Sequence, residues 1–318
     1  MKVRFWGTRG SIPVAVTAPE IRAKLAAALA GSVGRDLSSP AAIDAYIDSL
    51  GFDIAGTFGG HSSCVEVDTG GAEHFVLDLG SGARPLGQAM LNRYGPGQPQ
   101  TYHVFMSHLH WDHIMGFPFF TPAYLPGNRI VIHSCHDEVE HAFRRQQGAP
   151  SFPVEFDRLG ARIEFDILRP GSSVDIAGVA VSALAQRHVG DSFGWRLEHG
   201  GKSLVYSTDS EHKLDCAQER QAFVDFFRAA DLVIFDAMYS LADAVSVKAD
   251  WGHSSNVVGV ELCQLAGARR LALVHHEPAH GDAQIARLLS ETRRLEEITR
   301  DAHAVYVIAA WDGLELEL

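Results

Sequence analysis

The run Ser107-His108-Leu109-His110-Trp111-Asp112-His113 constrains this chain more than any other stretch. Three histidines and one aspartate fall within six residues, directly after the apolar β-type segment 102–106. Imidazole nitrogen and carboxylate oxygen are the ligands that suit zinc and similar first-row divalent ions. At a strand end, residues i and i+2 point the same way, so His108 and His110 can grip one ion. Asp112 and His113 follow in the turn, close enough to hold a second. The competing reading is a run of surface histidines in a His-rich protein, since 17 of the 318 residues are histidine. The placement of this spaced set straight after a strand argues against chance. It predicts a two-metal hydrolytic site.

Size and charge narrow the field. With 318 residues, 46% of them hydrophobic, the chain can bury one large core. It has no apolar run long enough to span a membrane and no signal peptide at Met1-Lys2-Val3-Arg4, so a cytoplasmic protein is expected. Cys64, Cys135, Cys216 and Cys263 are scattered, and reduced, packed thiols fit that compartment. The formal charge of −12, with no Lys/Arg-rich tract, disfavours a long polyanion such as tRNA. A small substrate is favoured over nucleic acid.

The hydrophobic pattern gives an α/β chain. A first strand runs into Gly7, and helices are expected from about Pro19 to Ala30 and from about Pro40 to Leu50, the second capped by Ser39. Ile43, Ile47 and Leu50 recur at helical spacing, with Asp44 and Asp48 on the other side. Residues 14–57 read as a helical insertion within a single 1–318 domain, a lid over the site or an interface for a homodimer, because about 40 residues rarely stabilise themselves. Strands are expected at 64–68, 75–79, 102–106, 129–133, 163–165, 179–184, 195–197, 203–206, 232–235 and 271–274. A last strand, 304–308, closes the chain. Helices are expected near 84–92, 137–147, 217–228, 255–266 and 283–297. Meandering strands followed by alternation with helices imply two sheets sandwiched by helices, a four-layer αββα arrangement.

Further metal ligands should stand where strands end. His188 follows the 179–184 strand, Asp209 follows 203–206, and His275 follows 271–274. An aspartate can bridge two cations, one oxygen to each. The plain alternatives are a turn histidine for His188 and a helix cap for Asp209.

At this point the sequence resembles the metallo-β-lactamase fold hydrolases. Within them it resembles the branch holding RNase Z and the small phosphodiesterases, including the cyclic-phosphate diesterase of phosphonate breakdown. The resemblance runs through Phe5-Trp6-Gly7-Thr8-Arg9-Gly10-Ser11-Ile12-Pro13, Gly59-Gly60-His61-Ser62-Ser63-Cys64, Leu77-Asp78-Leu79-Gly80-Ser81-Gly82 and the 107–113 cluster. It continues through Tyr206-Ser207-Thr208-Asp209, Trp251-Gly252-His253-Ser254 and Val274-His275-His276. It implies His108, His110 and His188 on one metal, Asp112, His113 and His275 on the other, Asp209 bridging, and a hydroxide between the ions as nucleophile. The pair His275 and His276 leaves the ligand open, with His275 preferred because it comes first after the strand. The ions are expected to be Zn²⁺, with Mn²⁺ or Fe²⁺ also accepted. His253 matches a histidine that protonates the leaving oxygen, and its alternative role is to support a ligand. Asp112 and His253 are thus the catalytic residues implied. Asp236 and Asp78 are expected to orient ligand imidazoles, with turn capping as the alternative. His61, Ser254 and His276 complete the set expected beside ligands or substrate.

Spacing selects among activities. In bacterial-type RNase Z enzymes a long tRNA-gripping arm is inserted between the counterparts of His188 and Asp209, which here lie 21 positions apart. Common lactamases carry cysteine where this chain has Asp209, and thioesterases or lactonases carry Gly-His-Thr-x-Gly where it reads Arg187-His188-Val189-Gly190. The expectation is a phosphodiesterase for a small cyclic or nucleotide-like diester. RNase Z-like cleavage and lactone, thioester or β-lactam hydrolysis rank behind it, and a non-catalytic metal-binding sensor ranks last. Trp111, Phe117, Phe119, Phe120 and Tyr124 are read mostly as core packing, with stacking on a base or aromatic leaving group as the alternative.

Overall fold

A computed structural model describes residues 1–212, 216–238 and 252–318. Trp251, part of a motif above, lies outside the described residues. The first sheet contains β1 (Lys2–Gly7), β2 (Cys64–Asp68), β3 (His74–Leu77), β4 (Thr101–Phe105), β5 (Arg129–Ser134) and β6 (Arg162–Ile167). The second contains β7 (Ser173–Ile176), β8 (Val179–Gln186), β9 (Ser192–His199), β10 (Lys202–Ser207), β11 (Leu232–Asp236), β12 (Arg270–Val274) and β13 (Tyr306–Ala309). The final strand, β14 (Glu315–Glu317), returns to the first sheet beside β1. The orders are β14-β1-β2-β3-β4-β5-β6 and β13-β12-β11-β10-β9-β8-β7.

β12 shows why the layers stack. Its Ala272 and Val274 join Val3, Phe5, Phe105 and Trp195 in the core between the sheets. The alternate residues Leu271 and Leu273 face the other way, into a second core with α7 (Ala217–Phe227) and α8 (Asn256–Ala266). Side chains alternate along a strand, so a parallel strand covered on both faces reads as unbroken apolar sequence. On the far side, α4 (Ala83–Tyr94) and α6 (Val139–Gln146) cover the first sheet through Leu86, Met90, Val139 and Phe143. The result is the four-layer αββα sandwich.

Two corrections concern strands. The chain does not close on the strand near 304–308, because β14 follows it, and β7 precedes β8. Both are short and largely exposed, so little apolar periodicity marks them.

The 14–57 segment holds α1 (Ala18–Gly31), α2 (Pro40–Asp48) and the single turn α3 (Phe52–Ala55). Thr17 and Glu20 form a capping box at α1, and Ser39 Oγ accepts the Ala42 N–H at α2. The apolar spacing of α2 implied a covered face, yet neither α1 nor α2 has a buried residue. Ile43 and Ile47 stay exposed because nothing else in the described chain packs over them. The segment is tied down by Lys24, whose ammonium donates to Asp53 O, Gly56 O and Asp282 Oδ2 at 2.6–2.7 Å. Asp282 opens α9 (Asp282–Thr299), which also receives Phe58 and contacts α3.

β3 to β6 run parallel, as do β10 to β13, and β8 shares the direction of β10. Their carboxyl ends open on one edge of the sandwich. Ligand sites in parallel α/β sheets form at such ends.

Candidate metal centre

Every predicted ligand emerges from that edge. Asp78 follows β3, and His108 and His110 lie in the loop after β4. Asp112 and His113 sit on the single turn α5 (Trp111–Ile114). His188 follows β8, Asp209 follows β10, and His275 follows β12. His108 and His110 lie beyond the strand rather than on it, so strand alternation does not aim them. The turn of α5, with His110 as its N-cap, sets their direction instead.

Two groups of ligand atoms converge, each within 4.8 Å: His108, His110, His188 and Asp209, and then Asp112, His113, Asp209 and His275. Asp209 belongs to both. Its Oδ2 faces His108 Nε2 at 3.6 Å and His188 Nε2 at 3.7 Å. Its Oδ1 lies 3.2 Å from both His113 Nε2 and His275 Nε2. His110 Nδ1 approaches His188 Nε2 at 3.1 Å, and Asp112 Oδ2 lies 3.2 Å from His275 Nε2.

The rings are held by groups behind them. Asp78 Oδ2 accepts from His113 Nδ1 (2.7 Å), Ser107 Oγ (2.7 Å) and Tyr206 Oη (2.8 Å), and Asp78 Oδ1 takes the Ser107 N–H. Ser107 Oγ in turn accepts from His108 Nδ1 at 3.1 Å. The Gly252 carbonyl accepts from His188 Nδ1 at 2.8 Å. These bonds fix the Nδ1–H tautomers and present Nε2 to the centre. Ser11 N–H holds Asp112 Oδ2 at 2.8 Å. Gly10 packs so closely on His275 that a Cβ there would sit 2.4 Å from Nδ1. Ser11, Asp78 and His275 all have left-handed backbone, with φ of 55° to 58°. For non-glycine residues such strain gathers at functional sites.

Electrostatics suit cations. Burial pushes His108, His110 and His188 below the usual imidazole value, leaving their lone pairs available. Burial disfavours charge on Asp112 and Asp209 too. Facing histidines nevertheless hold both carboxylates well below the usual range, His113 foremost for Asp112 and His275 for Asp209. Burial opposes charge on His113, yet Asp112, Asp209 and Asp78 around it raise its pKa, and the same negative field favours a cation there. Its Nε2 and that of His108 are buried without a hydrogen-bond partner. An unpaired buried nitrogen costs about 1–3 kcal/mol, and a metal ion accounts for both. The residues fit two divalent ions.

A third group joins the second: Asp209, Asp236, His253 and His275. His253 Nδ1 donates to Asp236 Oδ2 at 2.9 Å, and its ring stacks on His275 with centroids 5.0 Å apart. Three other predicted residues point elsewhere. His276 turns to the Ala310 carbonyl (2.9 Å), while Ser254 Oγ meets His212 Nδ1 (2.6 Å) and His61 Nδ1 meets Ser81 Oγ (3.1 Å). Adjacent side chains diverge here, at the left-handed His275 and in the loop before α8, which separates His276 from His275 and Ser254 from His253. Sequence reasoning missed Ser107, Tyr206 and His212, and it gave no role to Gly10, Ser11 or the Gly252 carbonyl. For the last three the signal was present in the Gly-Ser and Gly-His-Ser motifs. Buried Arg9 in the same motif ties the loops together by donating to Gly59 O and His280 O.

The fold and these paired carboxylate–imidazole groups define a metal-dependent hydrolase. The beta-lactamase superfamily domain matches residues 76–276, more than half of the chain, and the protein belongs to the metallo-β-lactamase superfamily. Ribonuclease Z of Haloarcula marismortui is 23% identical over 284 residues, covering 76% of this chain and 87% of that protein. The metallo-beta-lactamase fold protein YhfI of Bacillus subtilis superposes with a TM-score of 0.62 at 17% identity, covering 100% of this chain and 98% of that one. A diphosphatase of the PhnP family gives 0.58 at 17% identity, covering 100% and 97%. At such identities the two structures share the fold. No helix among the described residues is long and apolar enough to cross a membrane.

Proposed function

We propose that the protein is a dinuclear phosphodiesterase acting on a small cyclic or nucleotide-like phosphodiester. The observation that carries this reading is Asp209, whose two oxygens face separate groups of histidines at 3.2–3.7 Å. In this reading His108, His110 and His188 hold one ion, Asp112, His113 and His275 hold the other, and Asp209 bridges them. Nitrogen and oxygen donors suit Zn²⁺ first, with Mn²⁺ and Fe²⁺ as alternatives. Ions bound there supply Lewis acidity towards a phosphoryl oxygen and make water nucleophilic near neutral pH. Phosphate suits such a site because its anionic oxygens compensate the dications.

His253 is assigned the proton for the departing alkoxide. Burial opposes its charge, but Asp236, by charge and hydrogen bond, lifts the ring to about 9. Cations held by the neighbouring ligands would lower that value towards neutrality, where His253 would serve best as a general acid. Asp112 is the second catalytic group, kept in place by Ser11 N–H and His275. Asp78 and Asp236 act as positioning residues. We read the chain as one cytoplasmic domain, in keeping with its free cysteines, of which Cys64 and Cys263 are buried. The 14–57 segment is read as a lid or a homodimer contact.

A second reading, RNase Z-like cleavage of RNA, is favoured by the archaeal ribonuclease Z relative. It ranks second because the stretch from His188 to Asp209 is used up by a loop and the β9–β10 hairpin, and acidic residues outnumber basic ones, 39 to 27. Bis-p-nitrophenyl phosphate, a chromogenic lactam, a thioester and a 3′-extended tRNA, tested with Zn²⁺ and Mn²⁺, separate the readings. Turnover of the diester supports the proposal. Turnover of only the lactam or thioester, or of the tRNA alone, reverses the ranking. No turnover despite two bound ions favours a metal-binding sensor.

A further inference from the structure

Three large apolar side chains exposed to water stand next in sequence to groups of the centre. Trp111, between His110 and Asp112, is 71% exposed. Val189, next to His188, is 73% exposed, and Ile12, next to the Ser11 amide that holds Asp112, is 57% exposed. The Val189–Gly190 turn reaches His110, since a Cβ on Gly190 would lie 3.4 Å from its Nε2. Among the described residues Trp111 has neither a ring partner nor a hydrogen bond for its indole N–H. The neighbouring aromatics are engaged elsewhere: Phe117 and Phe120 are fully buried, Phe119 packs edge-on against Phe152, and Tyr124 donates to Pro118 O. Exposed apolar side chains gathered at a site mark a ligand surface. A phosphate group makes no use of them. A planar group esterified to it does, because an indole face stacks on any flat ring.

We infer that Trp111, with exposed Val189 and Ile12 beside other groups of the centre, is a specificity-determining platform that stacks the nucleobase of a nucleoside diester. The inference rests on the phosphodiesterase reading and narrows its substrate class to nucleoside esters.

The test compares thymidine 5′-p-nitrophenyl phosphate with methyl p-nitrophenyl phosphate, which share a leaving group. In Trp111→Ala, kcat/KM should fall about tenfold more for the nucleoside ester than for the methyl ester, through KM, with Trp111→Phe restoring most of it. A second readout needs no turnover: adenosine monophosphate should quench tryptophan emission of the metal-loaded protein, inorganic phosphate should not, and Trp111→Ala should lose the response. Equal losses for both esters, or equal quenching in wild type and Trp111→Ala, overturn the inference. If wild type cleaves neither ester while quenching still depends on Trp111, the platform stands and the phosphodiesterase reading falls.

Discussion

At the edge where the strands end, Asp78 has no exposed surface and accepts four hydrogen bonds from Ser107, His113 and Tyr206. In the 14–57 segment, α1 is a regular capped helix that buries no side chain, and Ile21, Leu25 and Leu29 along it are 50–69% exposed. Both regions are well-formed secondary structure. They differ in how many independent contacts determine each side chain. Around Asp209 every atom answers to several partners, so a change to one is felt by the others. In α1 the helix answers mainly to its cap and to Lys24, and most single changes should be absorbed.

The largest effect should come from Asp209→Ala. Removing the carboxylate that faces both groups should lose both ions and abolish diester turnover, as measured by elemental analysis and assay. An Asp209→Ala protein that keeps both ions would show that the two groups hold metal independently. Gly10→Ala comes next. Its methyl, 2.4 Å from His275 Nδ1, must displace that ring, and metal affinity should fall about 10–100-fold. A zinc competition titration with an unchanged constant would mean that the loop yields instead.

An intermediate effect is expected at His212, buried against Phe223 and Phe235 beside the centre. Burial lowers its pKa to about 4, below the 6.5 of an unfolded histidine. The unfolded chain therefore takes up this proton first on acidification. The contribution to stability is complete above pH 6.5 and is lost as pH falls from there through 4, on the order of 3 kcal/mol. His212→Phe should flatten that part of the urea-midpoint profile, and an unaltered slope would remove His212 from the account. The smallest effect belongs to Leu25→Ala, which should change stability by less than about 0.5 kcal/mol at low protein concentration. A loss above about 1 kcal/mol that grows with concentration would reveal a second copy covering α1, and would erase the contrast between the two regions.

The same contrast governs what the sequence could reveal. Five of the residues between 107 and 113 lie around the centre because one strand-to-helix turn delivers them together, and a local pattern suffices to find them. β2 was legible to its boundaries, since Val65, Glu66 and Val67 alternate between turn residues. His188, Asp209 and His275 carry no local mark. They meet only because strands of the second sheet end at one edge; their place after predicted strands made them candidates, and resemblance to a family supplied their division between two ions. Ser254 and His276 were grouped with the site because they adjoin His253 and His275, but neighbours in sequence part company in space. The support for Asp78 from Tyr206 spans 128 positions and crosses between the sheets, which no window of sequence reports. On α2, helical periodicity foretold the helix correctly and its burial wrongly, because periodicity records an apolar face and not what covers it.

Metal stoichiometry of the purified wild-type chain tests the centre most directly. Elemental analysis after dialysis against trace Zn²⁺ should give two ions per polypeptide, with the second lost on replacing His275 and the first retained. Saturation at a single ion, or two ions that both survive removal of His110 and His275 together, would contradict a centre shared through Asp209.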